Sequence, residues 1–253
     1  MILMGKDDTE VQTTLSNFSF SGVGIDKLDG SEFTLVTILV DFSWSVGDFK
    51  NELEKGLNTI IQSCKKAPTS ENILIRIAGF TNKVDGNIKE IHGFTPLMEI
   101  SDDRYVGAVV PDGMTPLYDA AGNALESIET YGKSLVDQDY ECNGIFFVLT
   151  DGVENASRTI RSASEIKDGL KRVRVNEYLL GMRSVLIGVN DVDCKAKLEQ
   201  FKDDAGFDEF VSLGDATPSK LAKLANWVSQ SISSQSQSLA NGGAPSQPIE
   251  FTL

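Results

Sequence analysis

Histidine is almost missing from this 253-residue chain, which has only His92. A catalytic triad or zinc centre built on histidine would have to rest on that one residue, and its strand-like surroundings favour a structural role. Cysteine is scarce as well. Cys64, Cys142 and Cys194 are odd in number, widely spaced and never in a CxxC pair. That usage suits reduced thiols in a cytosol-like compartment rather than a disulfide frame. No apolar run approaches the roughly 18 residues that span a bilayer, and Met1 to Asp8 lack the basic start and apolar run of a signal peptide. The expected location is therefore cytoplasmic. Basic residues are in deficit, 23 against 37 acidic ones, for a net charge of −14. That field repels phosphate and attracts cations, so nucleic acid and anionic membrane are poor partners.

The 41% of hydrophobic residues can fill a substantial core. Residues 33–40, 73–80, 144–150 and 184–189 are apolar on both faces and rich in β-branched side chains, as strands covered on both sides are. Between and after them, helical spacing runs through 49–64, 116–131, 163–178, 194–205 and 218–232. A shorter strand at 89–94 reads as an edge, and 209–211 as a last short strand. This alternation predicts an α/β fold: a three-layer, doubly wound, mostly parallel sheet of Rossmann-like type with helices on both faces. The domain spans 31–232. Residues 1–30 form an extended segment in which Leu15, Phe18, Phe20, Val23 and Ile25 alternate with small and polar residues, as in an edge strand or hairpin.

Residues 233–253 are a Ser, Gln, Gly and Pro-rich tail. Its end alternates Ile249, Phe251 and Leu253 with polar residues. These three are expected to dock as an added strand or into a groove, on this domain or on a second copy.

Ligands of open α/β sheets bind where strands deliver their C-terminal ends. One strand here ends in Asp41-Phe42-Ser43-Trp44-Ser45, another in Thr150-Asp151-Gly152, and Thr115 opens the helix between them. Helix capping accounts for any one of these residues; together they form a set of hard oxygen donors suited to Mg²⁺. In an extended loop Asp41, Ser43 and Ser45 point the same way.

The pattern D-x-S-x-S, a later G-x-T-x-L and a later T-D-G resembles the metal-ion-dependent adhesion site of von Willebrand factor A domains, and its phrasing resembles the bacterial and phage members. The resemblance implies one divalent ion, Mg²⁺ with Mn²⁺ or Ca²⁺ as alternatives, held by Asp41, Ser43, Ser45, Thr115 and Asp151. It implies a non-catalytic protein-binding module whose partner completes the shell with an acidic side chain. Trp44 departs from the small residue usual at its position, which puts ligand specificity in question. Two other readings remain. A Mg²⁺-dependent phosphatase of haloacid-dehalogenase type would need a second Asp where Ser43 stands. A structural subunit of a multiprotein or viral assembly would fill the metal site internally, a reading that the extended N-terminal segment and the tail suit; separately, the tail is a candidate for self-association.

Overall fold

The segment apolar on both faces, β4 (Glu32–Asp41), lies at the heart of the sheet, where helices can cover it twice. The computed structural model describes residues 2–4, 10–14, 18–176, 178–241 and 246–252, the first two stretches as main chain only. The other strands are β1 (Ile2–Met4), β2 (Glu10–Thr14), β3 (Ser19–Val23), β5 (Ile73–Phe80), β6 (Ile88–Pro96), β7 (Glu141–Thr150), β8 (Met182–Gly188) and β9 (Glu209–Ser212). They form one sheet in the order β1-β2-β3-β6-β5-β4-β7-β8-β9. Strands β5, β4, β7, β8 and β9 run parallel, β6 is antiparallel to β5, and β1 to β3 form an antiparallel meander. The fold is mixed α/β with a mostly parallel sheet, and the N-terminal segment, expected as an edge strand or hairpin, adds a three-stranded meander at its edge; Leu15 lies outside the described residues.

Period-two alternation decides which side chain serves which core. Val36, Ile38 and Val40 of β4 join one cluster with Leu53 and Leu57 of α1 (Lys50–Cys64) and Leu224 and Val228 of α5 (Pro218–Ala240). Leu35 and Leu39 join a second cluster. Its helical members come from α2 (Leu117–Val136), α3 (Ala163–Val175) and α4 (Lys195–Ala205). Cys64 and Cys142 are buried free thiols, and Cys194 is half-buried and free. No described helix is long and apolar enough to cross a membrane.

Several expected boundaries move. β6 is not an edge, because β3 pairs with its outer side. Helix α2 runs past Tyr131 to Val136, since Gly132 lets it lie against Leu179, where a β-carbon would come within 2.8 Å of that side chain. Helix α5 continues through the Ser/Gln stretch to Ala240. Gln235 is fully buried there. Its carbonyl accepts from Asn143 Nδ2 (2.9 Å), and its side-chain oxygen accepts from Ser246 N (3.1 Å) and Ser246 Oγ (2.8 Å).

The tail docks on its own domain, though not as a strand. Trp227 Nε1 donates to Ile249 O at 2.7 Å, and the Phe251 ring meets Trp227 edge-on at 5.7 Å. Leu253 lies outside the described residues. Truncation after Gly243 removes these contacts and uncovers Trp227, which is 4% exposed. The expected loss is about 2–4 kcal/mol in urea unfolding, from burial of two apolar side chains and several hydrogen bonds. A red-shifted tryptophan emission should accompany it; unchanged emission and midpoint would show the tail to be inert.

His92 on β6 is structural, as its surroundings suggested. Its Nε2 pairs with Tyr105 Oη at 2.7 Å and its Nδ1 with Gly93 O at 2.9 Å. Burial, with Arg104 and Arg76 adding to it, pushes its pKa from 6.5 to about 4. The unfolded chain therefore takes up this proton first. The associated stability is complete above pH 6.5 and is lost as the pH falls toward 4, by on the order of 3 kcal/mol at 1.36 kcal/mol per pH unit. His92→Gln should flatten that part of the stability–pH curve.

Candidate binding rim at the strand ends

Two neighbouring parallel strands, β4 and β7, deliver their C-terminal ends to one rim. β4 ends at Asp41, which is buried at 1% exposure. Its Oδ1 accepts from Ser43 N (2.8 Å) and its Oδ2 from Thr150 Oγ1 (2.7 Å), which ties the end of β4 to the end of β7. Ser43 then opens a 3₁₀ turn, Trp44–Phe49, without capping it by its side chain. Instead Ser43 Oγ lies 3.0 Å from Ser45 Oγ, and Ser45 Oγ donates to Asp151 Oδ1 at 2.8 Å. Four of the five expected residues are thus linked by hydrogen bonds.

Thr115 joins from the α2 side. Its N–H donates to Asn155 Oδ1 (2.8 Å), its carbonyl accepts from Asn155 N (3.1 Å), and its hydroxyl would lie 3.4 Å from a β-carbon placed on Gly152. Gly113, at φ 77°, makes the preceding turn; a β-carbon there would come within 2.4 Å of Asn82 Oδ1. Its carbonyl accepts from Trp44 N at 3.1 Å, holding the two loops together.

Burial is the main force on the rim's charges. It raises the Asp41 carboxyl to about 7, Asp151 adding its repulsion while the bonds from Thr150 and Ser43 pull the other way. Burial raises Asp151 too. A buried carboxylate facing a second one calls for a proton, a donor or a cation. Chemically the rim offers two carboxylates and three hydroxyls, a hard oxygen set. It contains no second Asp at position 43 and no histidine, so the acid/base pair of a phosphatase is not assembled here. Beside this polar centre stand two large exposed apolar side chains, Trp44 at 69% and Met114 at 47%.

Sequence reasoning missed the residues that support the rim. Glu154 Oε1 accepts from Ala156 N and Ser157 N, and its Oε2 from Tyr118 N at 2.8 Å in the first turn of α2. Asp119, fully buried, accepts from Arg158 N (2.8 Å), Thr159 N (3.0 Å), Ile160 N (2.7 Å) and Asn87 Nδ2 (2.6 Å). An acidic residue early in a helix is the one hint in the sequence, and it is shared by many helices.

No family model matches the chain, and no curated protein matches it in sequence. Solved structures share its fold. The pilus adhesin SpaC from Lactobacillus rhamnosus GG, in its open conformation, aligns over 92% of this chain and 33% of its own, at TM-score 0.56 and 12% identity. A variant of the PilB minor pilin from Streptococcus sanguinis aligns over 86% of this chain and 65% of its own, at TM-score 0.58 and 15% identity. Proximal thread matrix protein 1 from the mussel byssus aligns over 81% and 47%, at TM-score 0.51 and 17% identity. The chain thus spans between a third and just under two thirds of the length of these structures.

These findings correct the family expectation. The neighbours in fold are a pilus adhesin and a minor pilin, and no family model supports a von Willebrand factor A assignment of bacterial or phage type. Nor do the described residues contain any group of three or more His, Cys, Asp or Glu that could hold a metal ion, so the metal-site label that came with the family has no support in the structure. The physical reason is that the rim has only two acidic residues, its other members being hydroxyls. What is established is a mixed α/β domain of the fold seen in pilus adhesin and minor pilin structures.

Proposed function

We propose that the chain is a non-catalytic protein-binding module of a structural or adhesive assembly, and that its partner docks on the strand-end rim. The observation that carries this reading is the exposed Trp44 standing beside a partly buried cluster of carboxylates and hydroxyls. Exposed tryptophan next to groups that need a partner is the composition of an interface hot spot. The adhesin, pilin and thread-matrix neighbours support an assembly role over an enzymatic one. In the finer reading of the fold, the two core clusters are the two faces of a doubly wound sheet, which leaves the strand ends as the open crevice.

In its finer form, the proposal has a divalent ion, Mg²⁺ in the first instance, neutralising Asp41 and Asp151, with Ser43, Ser45 and Thr115 as further oxygen donors and a partner's acidic side chain completing the shell. Its support is the donor chemistry of these five side chains alone. The test is affinity capture with the wild type, Trp44→Ala and Asp151→Ala, each with and without EDTA. One captured protein should lose at least about 30-fold in affinity with Trp44→Ala, the scale of a 2 kcal/mol hot spot. Equal capture by all three proteins would sink the rim reading. Capture indifferent to EDTA, with no Mg²⁺ heat in calorimetry, would remove the ion and leave the rim.

A further inference from the structure

A cleft of about 290 Å³ opens beside the rim, where the first turn of α2, the loop after β7 and helix α4 meet. It continues directly from the rim, because Leu117 and Tyr118 follow Thr115 while Val153 and Glu154 follow Asp151. Leu117, Val153 and Leu198 give it an apolar floor. Over that floor Tyr118 and Phe201 stack, centroids 5.3 Å apart with an interplanar angle of 26°.

The charges around the cleft are uneven. Glu154 and Asp204 line it on one side of the balance and Lys197 on the other. Glu154 cannot turn away, since both its oxygens are held by the backbone of Tyr118, Ala156 and Ser157. Asp204 is exposed and accepts from Gln200 Nε2 at 2.9 Å. After burial, the charges of Glu154 and Asp204 are what raise the Tyr118 phenol above its ordinary pKa, so the field at that ring is negative. Lys197 is exposed on a long flexible stem. Stacked aromatics in a negative, partly apolar cleft suit a planar, weakly hydrated cation better than an ammonium or a carboxylate.

We propose that this cleft takes an arginine side chain from the partner segment that lies on the rim, its guanidinium against the Tyr118–Phe201 pair and paired with Asp204. The assignment to the same partner rests on the rim reading; the arginine preference rests on the cleft alone. The net charge of −14 favours a basic segment over an acidic one at this point. Lys197 opposes the guest, so its removal strengthens binding.

The probe is acetyl-Gly-Arg-Gly-amide, titrated into the isotope-labelled full chain and followed by amide shifts, against the same peptide with citrulline or glutamate in place of arginine. The expected result is saturable shifts at Tyr118, Val153 and Phe201 with arginine only. Asp204→Lys should weaken that binding at least tenfold, and Lys197→Ala should tighten it; both positions are exposed, and unchanged melting confirms that the variants fold. Equal response to citrulline, shifts confined to other surfaces, or an unaltered Asp204→Lys would overturn the proposal. Trp44→Ala separates the two ideas: it leaves the arginine titration intact while abolishing partner capture if both hold. Arginine shifts that persist while Trp44→Ala still captures the partner mean that the rim reading has failed and the cleft has not.

Discussion

Glu90→Ala is expected to destabilise the chain by about 3–5 kcal/mol, the cost of leaving a buried charge without its partner. Arg76 lies on β5 with its side chain fully buried, and its Nε donates to Glu90 Oε2 at 2.6 Å. Its Nη1 reaches Ser127 Oγ on α2 only at 3.5 Å. The other oxygen of Glu90 accepts from the backbone and hydroxyl of Ser21 on β3. One carboxylate therefore neutralises the guanidinium of β5 and pins β3 to β6. The ladder at that junction is short, a parallel pairing over the single partner pair Gly22 and Phe94, with the Phe20 and Phe94 rings packed edge to face beside it. Urea unfolding of Glu90→Ala, Arg76→Met and the double variant checks the account. The double variant should recover much of the loss, because it removes the stranded charge as well as the bond. A loss below about 1 kcal/mol in Glu90→Ala would mean that water reaches Arg76 after all.

Asp119→Asn should free the loop that carries the rim's second carboxylate. Both oxygens of Asp119 are acceptors, each for two donors, and three of these four are backbone N–H groups of residues 158–160. Asparagine keeps the size but replaces one acceptor by a donor, so two bonds are lost and donors face each other. At about 1.5–3 kcal/mol for a bond to a charged acceptor, a net loss near 3 kcal/mol is expected. Amide exchange at residues 158–160 should then accelerate by about a hundredfold, with smaller changes in the strands. Protection unchanged at those amides would show that the loop is held by other contacts. Because Gly152, Glu154 and Asn155 belong to the same connection, partner capture through the rim should weaken along with it.

The convergence was legible because strand ends in an open parallel sheet meet at one edge, so short polar motifs that close β4 and β7 come together whatever lies between. Asp41, Ser43, Ser45 and Asp151 come together through bonds of 2.7–3.0 Å that also bring in Thr150. Kinship was another matter. A handful of residues can report the chemistry of an edge without reporting ancestry, and the family read from them does not stand. The polar composition of residues 233–240 hid a helical stretch, because burial of Gln235 and Leu239 depends on partners from β7 and from the tail. Hydrophobic periodicity sees no such pairing.

Chain-local physics was enough for the order of strands and helices from β4 onward. It was also enough for the docking of Ile249 and Phe251, since side-chain period and apolarity are properties of neighbouring residues. Tertiary structure alone decided that β6 is interior, that α2 and α5 run on past their apparent stops, and that Glu90 and Asp119 are anchors. Each of those depends on groups far apart in sequence, Ser21 with Glu90 or Asp119 with Ile160, whose desolvation makes the bond between them count, and no local pattern records which distant donor will arrive.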